Sequence, residues 1–284
     1  MSTTPATTPP NARPIVRTAV WSLVILAVST TLSVGTAQAI DPSGELLGAL
    51  TPVNQMLPAL SLVVALLIVR PGRALRTIAL TPLRPWRNSL GGSMIALATT
   101  AAVPLIAVAV GVGLSVVEVR IPETWLTLSF LVAPVLVLNA VLSLGEEVLW
   151  RGWLQSAWSH WGWFRSTLVI SLIWAVWHLP LVATYTIAEG MPAHELVITS
   201  VQIVFFGLLL GALRSRFDSV WPAVFGHAAG NTFGPLVNSN VIVGGLTASP
   251  QVSWTIALAT WAAFAGLAVV LRRSQHPRAM TASV

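Results

Sequence analysis

The chain has 284 residues, 55% of them hydrophobic and 8% charged, with a formal net charge of +6. All fifteen basic residues are arginine, and nearly all lie in short connections between apolar runs of roughly 20 residues, the length a helix needs to cross hydrocarbon; the basicity is therefore a topology signal and not a nucleic-acid footprint. With no cysteine, disulfides, thiolate nucleophiles and Cys-ligated metals are excluded, and chemistry falls to Glu, His, Asp, Ser or Asn.

The N-terminal 1–18 stretch, Thr- and Pro-rich at its start, reads as a disordered cytosolic tail. Arg13 and Arg17 precede a first apolar run from about Ala19 to Val34. This run has a rival reading as a signal peptide, because Ala37-Gln38-Ala39 resembles a small-residue cleavage site; an uncleaved first helix is the reading adopted. A second span runs from about Leu46 to Val69 and ends in a basic loop with Arg70, Arg73, Arg76, Arg84 and Arg87. Further spans are expected at about Leu90–Val117, Trp125–Leu144, Ser166–Tyr185, Leu196–Leu213, Val220–Val237 and Val252–Leu271.

Eight spans with both termini cytoplasmic make a consistent charge pattern. The loop arginines Arg70 to Arg87, Arg151, Arg165, Arg214, Arg216, Arg272, Arg273 and Arg278 fall on one side, and Arg120 alone falls on the other. Asp41, Glu45, Glu118, Glu123, Glu189 and Glu195 share the side of Arg120. Because cytoplasmic loops are arginine-rich, the first side is expected to be the cytoplasm. The expected architecture is an all-α, polytopic transmembrane helix bundle in the cell membrane. It divides into N-terminal transmembrane helices over 19–125, a chemistry-bearing core over 126–240, and a last helix with a cytosolic tail over 241–284.

Polar residues inside these spans mark candidate sites, since an ionisable side chain in hydrocarbon is costly unless it is paired or functional. At the end of the fourth span, Ser143-Leu-Gly-Glu-Glu-Val-Leu-Trp-Arg-Gly-Trp-Leu154 places Glu147 and Arg151 at i, i+4, where they can pair, while Glu146 points about 100° away. Glu146 is a candidate general base; a structural ion pair is the plainer alternative. The fifth span contains Trp174-Ala-Val-Trp-His178, with Trp174 one turn before His178 and Pro180 just after, where it should kink the helix. The seventh contains His227-Ala-Ala-Gly-Asn231, so His227 and Asn231 share a face, beside a ridge of Gly226, Gly230 and Gly234 that suits close helix approach. Each histidine could be a hydrogen-bonded core residue, but together the three helices suggest one site. Asn54, Gln55, Asn139 and Gln202 read as helix contacts or cavity lining; His160, His194 and His276 read as loop residues. Trp150, Trp153, Trp158, Trp161, Trp163 and Phe164 read as an aromatic belt at the cytoplasmic interface.

Glu-Glu-Val-Leu-Trp-Arg-Gly, then Trp-Ala-Val-Trp-His, then His-Ala-Ala-Gly-Asn, in this order over about residues 130–235, resembles the CAAX-prenyl-endopeptidase and bacteriocin-processing membrane protease family, also called CPBP or Abi. Trp174 stands where that family more usually has Phe. The resemblance implies an intramembrane endopeptidase in which Glu146 and His178 activate a water, His227 and Asn231 stabilise the oxyanion, and Glu147 and Arg151 support them. The implied partners are the lipid bilayer and a membrane-associated protein or peptide substrate, of CAAX or bacteriocin type, with no nucleic acid. No cofactor is required. Glu146, His178 and His227 would be the ligands if a divalent metal such as zinc took part, but the chain has no H-E-x-x-H and asparagine is a poor zinc ligand. The active site is expected to face the cytoplasm. The competing readings are a catalytically silent scaffold or immunity protein, and a proton-coupled transporter using the same residues as a relay.

Overall fold

The computed structural model describes residues 12–71, 74–82, 85–188, 190–245 and 249–273. These are helical almost throughout: α1 (Ala12–Ile40), α2 (Glu45–Val69), the short α3 (Ala74–Ile78), α4 (Trp86–Gly113), α5 (Trp125–Glu147), a π-helical segment Val148–Leu154, α6 (Gln155–Ala157), α7 (Trp163–Ala188), α8 (Ala193–Phe217), α9 (Trp221–Asn240) and α10 (Pro250–Arg273). Extended pairing among the described residues is limited to a bridge between Val119 and Ile242. Helix α1 begins at Ala12, inside the stretch read as a disordered tail, and Thr18 is already buried. The rest of that tail, and Arg73, Arg84, Glu189, His276 and Arg278, lie outside the described residues.

A helix stands at each of the eight expected spans, and seven among the described residues are long and apolar enough to cross a membrane. The exception by composition is α9, of 20 residues, which carries His227, Asn231, Asn238 and Asn240. It needs no lipid-compatible surface because α4, α5 and α8 pack around it. Its small residues permit this: Ala223, Gly226, Ala228 and Ala229 are buried, and a side chain at Gly230 would strike Phe206. Gly234 instead borders open space, so the glycine ridge is a packing surface only along its first two members.

The fourth span does not end near Leu144. Helix α5, the π segment and α6 form one 33-residue rod, Trp125–Ala157. Its first half faces outward, with Phe130, Val137 and Val141 exposed as a lipid-facing helix requires, and burial begins at Ser143. The π segment, a form found mostly as single turns at functional sites, is buried on all sides: Leu149 to Leu154 are all in the interior. Trp150 and Trp153 are therefore core residues, not members of an interfacial belt, and the Trp153 indole donates to the Ile15 carbonyl of α1 (3.2 Å). Trp161 and Phe164 are exposed, as a belt would be.

The helix ends gather into two faces. On one, the Val119–Ile242 bridge, the stacking of His194 on Trp254 and the approach of Gly44 to Thr184 and Ala188 bring together the turns after α1, α4, α7 and α9. This face carries Asp41, Glu45, Glu118, Glu123 and Glu195. On the other, Ser89 bonds Ser219, the Trp221 indole bonds Leu80, and Arg272 lies over Trp163. This second face holds Arg70, Arg76, Arg87, Arg165, Arg214, Arg216, Arg272 and Arg273 and both ends of the described chain, while Arg151 is buried beneath it.

Candidate active site

Glu146 reaches the site because α2 crosses α5 at Gly145, where any Cβ would collide with the Gln55 carbonyl and the Met56 sulfur. The contact sets Gln55 beside Glu146, and the Gln55 amide donates to Glu146 Oε1 at 3.4 Å. The other oxygen, Oε2, accepts from the Trp174 indole N–H at 2.7 Å. Glu146 is fully buried, so these bonds fix its rotamer and offset part of its desolvation.

Trp174 of α7 is the hub of the cluster. Its ring packs edge-to-face against both His178 and His227, with centroids 5.2 Å away in each case, and the Arg151 guanidinium lies 4.3 Å from its centroid in a cation–π contact. Trp174 therefore separates two imidazoles, not only packing on the His178 of its own helix, and also orients the carboxylate.

Both histidines are held by Nδ1. His178 Nδ1 lies 2.8 Å from the Trp174 carbonyl one turn back, and His227 Nδ1 lies 2.9 Å from Glu147 Oε1. Carbonyl and carboxylate oxygens only accept, so the ring proton is assigned to Nδ1 in each, and Nε2 is left as the functional nitrogen. The same Glu147 oxygen accepts from Arg151 Nη1 at 2.8 Å. Glu147, Arg151 and His227 thus form a buried chain, 0%, 1% and 3% exposed, with the carboxylate bridging guanidinium and imidazole. Glu147 and Arg151 are a structural pair, as expected; the further link to His227 across the bundle is invisible to sequence spacing.

The four residues expected to do chemistry line one cavity. Glu146, His178, His227 and Asn231 all border a space of about 270 Å³, together with Trp174 and residues that lay outside the motifs, Gln55 and Gln202. Gln202 is a single amide in a long apolar run and Gln55 stands beside Asn54 in another, which is the signal that marks them in the sequence. Asn139 is instead a helix contact, donating to Thr232 (2.9 Å), and Asn54 accepts from Ser33 (2.7 Å). The cavity draws on α2, α4 and α10 as well as on residues 126–240, so that stretch does not enclose the site by itself.

Residues 123–233 match the family model described as Rce1-like, Type II CAAX prenyl endopeptidase Rce1-like. This stretch of the chain is similar to that family. The match spans the motifs from Glu146 to Asn231, agrees with the resemblance read from them, and points to a multi-pass membrane protein of the membrane-protease class. No curated protein matches the chain.

A metal fits this arrangement poorly. No group of three or more His, Asp or Glu among the described residues is placed to hold one ion, and both Glu146 oxygens already accept hydrogen bonds from Gln55 and Trp174. The Nδ1 contacts of the two histidines resemble the outer contacts of metal-bound imidazoles, but the same contacts equally prepare an imidazole for acid–base work.

The cavity does not lead toward the face that holds the arginines. Glu146 is not at a helix end, and the space between it and the arginine face is filled by Glu147, Arg151, Trp150, Trp153 and Leu154 together with Leu209, Leu210 and Leu213, all buried. The cavity extends the other way, past His178 to Val182 and past Asn231 to Asn238.

Proposed function

We propose that the chain is an intramembrane endopeptidase that hydrolyses a peptide bond in a membrane-associated protein or peptide, by CAAX-type or bacteriocin-like processing, without a metal. The observation that carries this reading is the position of Trp174, wedged between two imidazoles and bonded to Glu146 in the wall of one cavity.

Water between Glu146 and His178 gives its proton to this pair, which acts as the general base, while its oxygen attacks the peptide carbonyl. The negative charge that forms on the carbonyl oxygen is met by the Asn231 amide and by His227 once its Nε2 carries a proton. The proton held by the Glu146–His178 pair then passes to the leaving amine as the C–N bond breaks, and the new carboxylic acid and amine depart, the acid giving up its proton to solvent. The Nδ1 bonds to Glu147 and to the Trp174 carbonyl keep both rings aimed throughout.

The oxyanion roles are tested by Asn231→Ala and His227→Gln in a peptide-cleavage assay in lipid nanodiscs. Each should lower kcat by roughly 10²–10³ with KM little changed, as for loss of one oxyanion donor. An unchanged kcat in both refutes the assignment.

A further inference from the structure

The two ends of the cavity are unequal, and the two faces of the bundle differ in charge. The residues that line it run along every helix in one sense from the depth of Glu146. On α7 they continue from His178 to Val182, on α9 from Asn231 to Asn238, and on α8 they reach back from Phe206 to Thr199. Val182 lies near the C-terminal end of α7, Thr199 near the N-terminal end of α8 and Asn238 near the C-terminal end of α9. All three ends belong to the face of Asp41, Glu45, Glu118, Glu123 and Glu195. In the opposite sense the path is shut by the Glu147–Arg151–His227 chain and the fully buried side chains around the π segment. Trp150, Trp153 and Leu154 from one element and Leu209, Leu210 and Leu213 from another are all buried on that side.

We propose that the scissile segment of the substrate reaches Glu146 from the acid-bearing face, the one opposite the arginine loops; this rests on the reading of the cavity as a hydrolytic site. Arginine-rich connections mark the cytoplasmic side of a multi-pass protein, so the substrate is a peptide segment presented on the non-cytoplasmic side of the membrane, as part of an exported or membrane-spanning polypeptide. The charge of that face suits such a partner. Its described ionisable residues are acidic except for Arg120 and His194, so basic residues flanking the cleaved bond are attracted to the mouth. The arrangement also separates the machinery by depth. The ion pair that fixes His227 lies on the closed side, away from solvent, and the water and substrate arrive on the side of Nε2.

The chain has no cysteine, so a single introduced cysteine is the one thiol to be labelled. Thr199→Cys and Val182→Cys report the mouth, Ser43→Cys marks the acid-bearing face, and Ser159→Cys marks the arginine face. Each full-length variant is treated with a membrane-impermeant maleimide in intact cells and in inverted membrane vesicles. The proposal expects Thr199→Cys and Val182→Cys to be labelled in the preparation that labels Ser43→Cys, and to lose labelling in the preparation that labels Ser159→Cys. Labelling of both mouth cysteines with the Ser159→Cys pattern overturns it. So does an absence of labelling at both while the two marker cysteines react. The readout needs no cleavage activity, so a failure of the access proposal and a failure of the protease reading are told apart. If Thr199→Cys is poorly folded, Val182→Cys on a different helix gives the same decision.

Discussion

Replacing Arg151 by Met should be among the most destabilising single changes in the protein. The guanidinium is 1% exposed, bonds Glu147 at 2.8 Å, and covers the Trp174 ring at 4.3 Å. Met fills a similar volume, so the chief loss is the charge, and Glu147 is left as a buried carboxylate with His227 as its remaining partner. Removing one partner of a buried ion pair costs about 3–5 kcal/mol. At roughly 2–4 °C per kcal/mol for a chain of this order of size, the apparent Tm falls by about 6–20 °C. The companion change decides the cause. In Glu147→Gln/Arg151→Met both charges are gone, the Gln oxygen still accepts from His227 Nδ1, and most of the lost stability should return. Activity should not return with it, because a neutral amide no longer supports His227 electrostatically as the oxyanion forms, and kcat should stay about 10–100-fold down. Thermal unfolding in detergent with a parallel cleavage assay measures both. An Arg151→Met protein with unchanged Tm, or a double variant no more stable than the single one, refutes the reasoning.

Other perturbations separate the supports of Glu146. Trp174→Phe keeps the ring between the two imidazoles and deletes the indole donor 2.7 Å from Oε2; a hydrogen bond to a charged group is worth about 1.5–3 kcal/mol, so kcat should drop roughly 10–100-fold while Tm moves little. Gln55→Leu removes the longer contact of 3.4 Å, and a loss of about 0.5–1.5 kcal/mol, at most roughly tenfold in kcat, should follow. Gly145→Ala drives a methyl group into the Gln55 carbonyl and the Met56 sulfur, and should cost about 1–3 kcal/mol in stability by forcing α2 away from α5.

The helices themselves were legible because their apolar runs leave no alternative, and the identity of the site residues was legible because ionisable side chains are so rare in this chain. Glu146, His178, His227 and Asn231 line one cavity, as their order on separate helices suggested. What spacing could not convey is rotation and depth. Glu146 and Glu147 looked like the end of a span because charges usually end one; here they are buried, Glu147 pairs with Arg151 one turn on and with His227 across the bundle, and the rod runs on to Ala157. Trp150 and Trp153 looked interfacial because tryptophan suits a membrane surface and a tight core equally well, and composition does not tell these apart. The polarity of α9 was visible, but only its enclosure by α4, α5 and α8 explains why a helix with several asparagines is stable at that depth. Gln55 stood outside the motifs, and only the crossing at Gly145 brings it to Glu146. Which end of the cavity is closed depends on large side chains far apart in sequence, such as Trp153 and Leu213, and hydropathy carries no trace of it.

The most direct test of the central claim is peptide-bond cleavage by the purified full-length protein in lipid nanodiscs, followed by mass spectrometry on lipid-modified and unmodified peptide libraries. The wild-type chain should cleave in the presence of a metal chelator, and Glu146→Gln and His178→Ala should each reduce cleavage to background while remaining folded. Undiminished cleavage in both variants would contradict the account, as would activity that vanishes with chelator and returns with added zinc.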